Sequence, residues 1–124
     1  MQVEKDALFN IRKLEHNDNI ITATLDINKD CNIFKGHFPG HPVVPGACML
    51  QIVKEVLEEA LGASLRLKKA EHLKFINMID PEITPSVALD MAYKIFEEGD
   101  ISVVAKILNG EVVCFKFQGR FGRG

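Results

Sequence analysis

The stretch FKGHFPGHPVVPGACMLQ, residues 34–51, holds two histidines, three prolines and three glycines before it turns apolar. Pro39, Pro42 and Pro45 each fix their own φ and push the preceding residue away from helical conformation, so an extended, stiff loop is expected. The loop feeds a helix. From Ala47 to Leu61 the apolar residues Met49, Ile52, Val53, Val56, Leu57 and Ala60 recur at helical spacing. Gln51, Lys54, Glu55 and Glu58 form the opposite stripe, and Gly62 supplies a stop. The pattern predicts one amphipathic helix of about four turns, its Ile52, Val53, Val56 and Ala60 turned to a core.

On either side of that helix the sequence reads as strand. Before it, ALFNIRKLEH and IITATLDIN flank the polar NDN, and the second segment alternates Ile21, Ala23, Leu25 and Ile27 with Thr22, Thr24 and Asp26, which predicts a hairpin. After it come SLRLKKAEHLKFINMI, then VALDMAYKIF with Val87, Leu89, Met91, Tyr93 and Ile95 on one face, then ISVVAKIL and EVVCFKFQGRF. EGD and Asn109-Gly110 mark the last two turns, the latter a strong hairpin signal. The order β-β-α-β-β-β-β with a single long helix predicts an α+β arrangement, an antiparallel sheet curled around the helix.

With 124 residues, 47% of them hydrophobic and 26% charged, the chain fits one globular domain spanning residues 1–124. A domain of this size encloses little, so a deep site would borrow walls from a second subunit. The net charge of −2, from 15 basic and 17 acidic residues, argues against a nucleic-acid partner. The charged opening, MQVEKDALFNIRKLEHNDN, lacks the apolar core of a secretory signal, and no apolar run approaches membrane-spanning length. A cytoplasmic protein with no membrane partner is expected. Cys31, Cys48 and Cys114 are odd in number and form no C-x-x-C pair, which suits reduced packing thiols rather than a disulfide frame.

The chemistry sits in the opening stretch. Gly-His-Phe-Pro-Gly places the His37 imidazole on a rigid backbone just before a helix start, and Pro45-Gly46 lets the exposed amides of the first turn face the same space. A base beside an oxyanion-stabilising amide is the minimum apparatus for removing a proton from the carbon next to a thioester carbonyl. His41 lies four residues further on, but the intervening prolines and glycine forbid a helix, so a two-histidine metal site is not expected.

GHFPGHPVVPG resembles, nearly residue for residue, the active-site signature of the hot-dog-fold 3-hydroxyacyl-(acyl carrier protein) dehydratases of fatty acid synthesis. The helix, the four strands after it and the overall length are also similar. The resemblance implies a hot-dog fold, a dehydratase needing no metal or other cofactor, and a carrier protein presenting an acyl-phosphopantetheine thioester as partner. It implies that His37 handles the α-proton and that the Gly46 amide polarises the thioester carbonyl. Phe38, Pro39, Gly40, Val43, Pro45 and Ala47 would line the substrate, and pockets would be shared across a homodimer, or across a heterodimer with a homologous chain. The family carries a Glu or Asp fourteen residues after the histidine, to release the hydroxyl as water, and here that position is Gln51. An amide can orient a hydroxyl but cannot donate a proton as a carboxylic acid does. Gln51 therefore reads either as a substrate-facing amide or as the first member of a solvated stripe with Glu55 and Glu58.

That departure keeps a second function class open, a noncatalytic or hetero-dimerising hot-dog subunit that binds acyl thioesters; a thioesterase on the same fold is a weaker third. Thr84-Pro85-Ser86 also stands where the family commonly has a Pro-Gly-Asp turn. Lys35, Arg66, Lys68, Lys69, Lys74, Arg120 and Arg123 form a loosely basic set, read either as solvated side chains or as a docking surface for an acidic carrier.

Overall fold

The computed structural model describes residues 7–31 and 46–124. In chain order the elements are β1 (Phe9–Asn17), β2 (Ile20–Ile27), α1 (Gly46–Leu61), β3 (Leu65–Phe75), β4 (Ser86–Ile95), β5 (Ile101–Asn109) and β6 (Val112–Arg123). This is the expected succession, with the helix beginning one residue earlier than its apolar pattern. The strands form one antiparallel sheet in the order β1-β2-β4-β5-β6-β3, so β1 and β3 are its edges.

The period-2 alternation gives the sheet one apolar face, and α1 lies on it. Cross-strand register aligns Ile21, Met91, Ala105 and Phe117 in one inward row and Ala23, Leu89, Ile107 and Phe115 in the next. Against these rows α1 buries Cys48, Met49, Ile52, Val53, Val56 and Leu57, with Ala60 partly buried beside them. At about 1.5–3 kcal/mol for each fully buried aliphatic side chain, the helix contributes a large share of the core. All three cysteines are buried and none forms a disulfide among the described residues, in keeping with packing thiols.

The ends of the elements are set by specific bonds. Gly62 takes φ 63°, its amide and that of Ala63 both bond the Glu58 carbonyl, and the Glu58 carboxylate accepts the Leu65 amide at 2.7 Å. Glu58 thus belongs to the helix-to-strand connection rather than to a merely solvated stripe. The β5–β6 turn consists of Gly110 and Glu111, one position later than the Asn-Gly reading: Gly110 has φ 62°, while Asn109 stays in the strand opposite Val112 and donates to Thr84 Oγ1. Thr84 follows a turn made by Asp80, whose carboxylate accepts the Glu82 amide and whose carbonyl accepts those of Ile83 and Thr84. An aspartate-stapled turn thus leads into Thr84-Pro85-Ser86.

One expectation about the strands is corrected. The third strand does not continue to Ile79; it ends at Phe75, because the Ile76 and Asn77 amides both turn to the Cys114 carbonyl and the Asn77 side chain bonds the Val113 carbonyl. On β4 Val87, Leu89, Met91, Tyr93 and Ile95 keep one face, Tyr93 and Ile95 standing opposite the buried Val103 and Ile101, but their burial fades beyond Met91. Tyr93 is half-buried with its hydroxyl on His16 Nε2 (2.6 Å) and the Asp18 carbonyl, and Ile95 is exposed, outside the core.

Candidate active site

Of the residues the sequence marks as catalytic or substrate-lining, Gly46, Ala47 and Gln51 are described; His37, Phe38, Pro39, Gly40, Val43 and Pro45 lie outside the described residues. What can be built from the chain is the helix end and what surrounds it.

Gly46 opens α1, half-buried, and no acidic residue sits in the first turn to neutralise the exposed amides. The positive end of the helix dipole would favour a negative charge placed there. Phe75, at the end of β3, lays the tip of its ring over Gly46: a Cβ on residue 46 would stand 2.5 Å from Phe75 Cζ and 2.6 Å from Cε1. The ring stacks on the fully buried Phe115 with centroids 5.2 Å apart, yet Phe75 itself remains 53% exposed. An aromatic wall, fixed from below and open to solvent on its outer side, therefore adjoins the helix terminus. Sequence reasoning missed Phe75. Its signal was the apolar residue closing a strand otherwise studded with lysines, but the pairing with Gly46 exists only once β3 is placed on the far side of β6.

Gln51 is exposed, on the stripe of α1 turned away from the sheet, as are Ala47 and Glu55. Further along that stripe, Lys54 Nζ approaches Glu58 Oε2 at 3.8 Å. Within one chain the amide points outward from the core, so whatever it meets comes from beyond the sheet and helix that carry it. Cys48, one turn before Ile52 on the inner face, is a poor nucleophile: burial pushes its thiol pKa up, and the neighbouring Cys31 adds to the rise. Among the described residues no group of three or more His, Cys, Asp or Glu side chains is placed to hold a metal ion, and no helix is long and apolar enough to cross a membrane.

A family model for ApeI-like proteins, the ApeI dehydratase, matches residues 13–107. The chain belongs to the ApeI-like dehydratase family. Within curated proteins this ApeI-like chain is 30% identical over 89 residues to the 3-hydroxyacyl-(acyl-carrier-protein) dehydratase FabZ of Lactococcus lactis, a match covering 65% of the chain and 56% of that enzyme. The corresponding enzyme of Levilactobacillus brevis is 26% identical over 101 residues, covering 76% and 67%. The chain thus spans little more than half to two thirds of these relatives' length. Among solved structures, the dehydratase heterocomplex ApeI:P from Xenorhabdus doucetiae superposes with a TM-score of 0.67 at 16% identity, covering 92% of this chain and 97% of that one. The E. coli PaaI protein of the phenylacetic acid degradation operon gives 0.65 at 10% identity, covering 94% and 79%. At such identities these likenesses speak for the fold: the antiparallel sheet with its one helix is a hot-dog fold.

Proposed function

We propose that this chain takes part in the reversible dehydration of 3-hydroxyacyl thioesters, carried on the phosphopantetheine of an acyl carrier protein, to trans-2-enoyl thioesters. The observation that carries the reading is the family match over residues 13–107, a span that includes the whole GHFPGHPVVPG loop and α1. In the proposed reaction His37 removes a proton from C2 of the substrate, the Gly46 amide stabilises the charge that develops on the thioester oxygen, and the C3 hydroxyl leaves as water once it receives a proton. Phe38, Pro39, Gly40, Val43, Pro45 and Ala47 are proposed to wall the substrate.

Gln51 favours a second reading, in which the chain supplies His37 to a site completed by another, acid-bearing subunit. The exposed position of Gln51 on the outer stripe of α1 supports a pocket built between chains. So does β3, an 11-residue edge strand that leaves Leu67, Leu73 and Phe75 exposed, with Ile76 and Met78 exposed beyond its end. Unpaired edges of this length are ordinarily covered by another strand or element. A dimer working in the cytoplasm is the proposed form.

The deciding experiment follows turnover of one 3-hydroxyacyl carrier-protein thioester by the purified chain and its Gln51→Glu variant. A positioned general acid contributes about 10² to 10⁴ in rate, so Gln51→Glu is expected to raise turnover well above the parent's. His37→Ala in the same background is expected to abolish it. If neither protein turns over substrate alone but an added acid-bearing homologue restores activity that depends on His37, the two-chain reading holds. If His37→Ala changes nothing in any combination, the dehydratase reading is wrong.

A further inference from the structure

The face of the sheet turned away from α1 carries an arrangement that dehydration does not use. Register places Asp90 of β4 opposite Lys106 of β5, Lys106 opposite Lys116 of β6, and Lys116 opposite Lys74 of β3. Three lysines therefore stand side by side on three adjacent strands, with one carboxylate at the end of the row. Among the described residues none of the three makes an ion pair, whereas Arg12, Lys13, Lys54, Lys68 and Arg120 each meet a carboxylate. Like charges directly opposite each other across strands destabilise a sheet. Two residues along, a parallel row runs Ile20, Ala92, Val104 and Gln118, and Ile20 and Val104 are 52% and 55% exposed. Both rows line one groove of about 930 Å³.

We propose that this groove binds an amphipathic α-helix of a partner protein, with an acidic stripe on the lysine row and an apolar stripe on the Ile20–Ala92–Val104 row. The spacing favours a helix laid across the strands. Neighbouring strands are about 4.8 Å apart, and side chains three or four residues apart on one helix face stand about 5–6 Å apart, so successive acids meet successive lysines. The two rows are about 6.7 Å apart along the strands, within the roughly 10 Å width of a helix. A second copy of the same face is a poor occupant, since it would set lysines against lysines. A bilayer is a poor one too, because the apolar side chains line a concavity that a flat surface does not enter. The groove lies on the opposite side of the sheet from Gly46, so its occupancy is independent of the proposed reaction.

The test uses a labelled synthetic helical peptide with Glu at every third or fourth position and Leu on the adjoining stripe, and a control of identical composition with both stripes scrambled. Fluorescence anisotropy with the full chain is expected to show the striped peptide binding at least tenfold more tightly than the scrambled one. Lys106→Gln/Lys116→Gln is expected to weaken it about tenfold, as the loss of two or three modest ion pairs implies, while Lys29→Gln, outside the groove, leaves it unchanged. In the free chain Lys116→Gln is expected to raise the melting temperature, because it relieves two like-charge neighbours. Equal binding of both peptides, indifference to the double substitution, or a lowered melting temperature for Lys116→Gln overturns the proposal. So does lysine-dependent binding of inorganic phosphate, or of vesicles of phosphatidylcholine and phosphatidylglycerol, at concentrations where the striped peptide fails to bind.

Discussion

Gly46 lacks a side chain in a place where the tip of Phe75 already fills the space. Gly46→Ala would drive a methyl into the ring at 2.5 Å, and overpacking of this kind typically costs about 1–3 kcal/mol. Phe75→Ala removes the obstruction, so Gly46→Ala/Phe75→Ala should be less destabilised than the two single losses predict. A urea-denaturation cycle over the four proteins measures this coupling; strictly additive losses would mean that the ring simply swings into solvent. At this scale the sequence was half legible. The motif exposed Gly46 as special because glycine and proline advertise backbone demands locally. The reason for the glycine was hidden, because Phe75 stands 29 positions away in the chain and comes near only through the pairing of β3 with β6.

The helix was the most legible element, since a 3.6-residue period over four turns has few alternative explanations. Val53 is fully buried at its centre, and Val53→Asp would bury a carboxylate without a partner, at a cost of several kcal/mol that should abolish cooperative folding. Circular dichroism against temperature tests it: a sharp native-like melt for Val53→Asp would place α1 at the periphery. Its end was less legible. Glu58 reads as one acid in a polar stripe, yet its carboxylate holds the first amide of β3. Glu58→Ala should cost about 1–2 kcal/mol, more than an ordinary surface change, and Glu58→Gln should recover part of it. The strand that sequence patterning carried to Ile79 stops four residues sooner for a related reason. Alternation continues past Phe75, but the Cys114 carbonyl collects two amides and turns the chain, and such a carbonyl leaves no trace in a hydropathy pattern.

For the whole molecule, element order and layer arrangement were readable because only one helix interrupts a run of alternating strands. Strand order was not, since placing β3 beyond β6 depends on long-range pairing that no local signal encodes. The catalytic assignments stay with the motif, because His37 and the loop residues around it lie outside the described residues. Burial of the thiols has a consequence for the entire fold. Burial raises the pKa of Cys48 and of Cys114 in the folded chain, so the unfolded chain loses those protons first as pH climbs. Their contribution to stability is complete below about pH 8.5, the ordinary thiol value, and is lost as pH rises through the raised folded values. Urea midpoints should therefore fall between pH 7.5 and 10, and Cys48→Ala/Cys114→Ala should flatten that fall; an unchanged slope would assign it to other groups.

The β3 edge carries Arg66, Lys68, Lys69 and Lys74 against a single Glu71, with Lys68 satisfied by Asp100. If that edge receives a second chain, ionic strength becomes a selector of companions. Two identical edges repel each other in dilute buffer and tolerate each other once salt screens them, with a Debye length of about 10 Å at 0.1 M and about 3 Å at 1 M. An acid-edged homologue behaves oppositely, pairing best in dilute buffer. Sedimentation of the chain alone and mixed with such a homologue, at both salt concentrations, would reveal which companion the edge is written for.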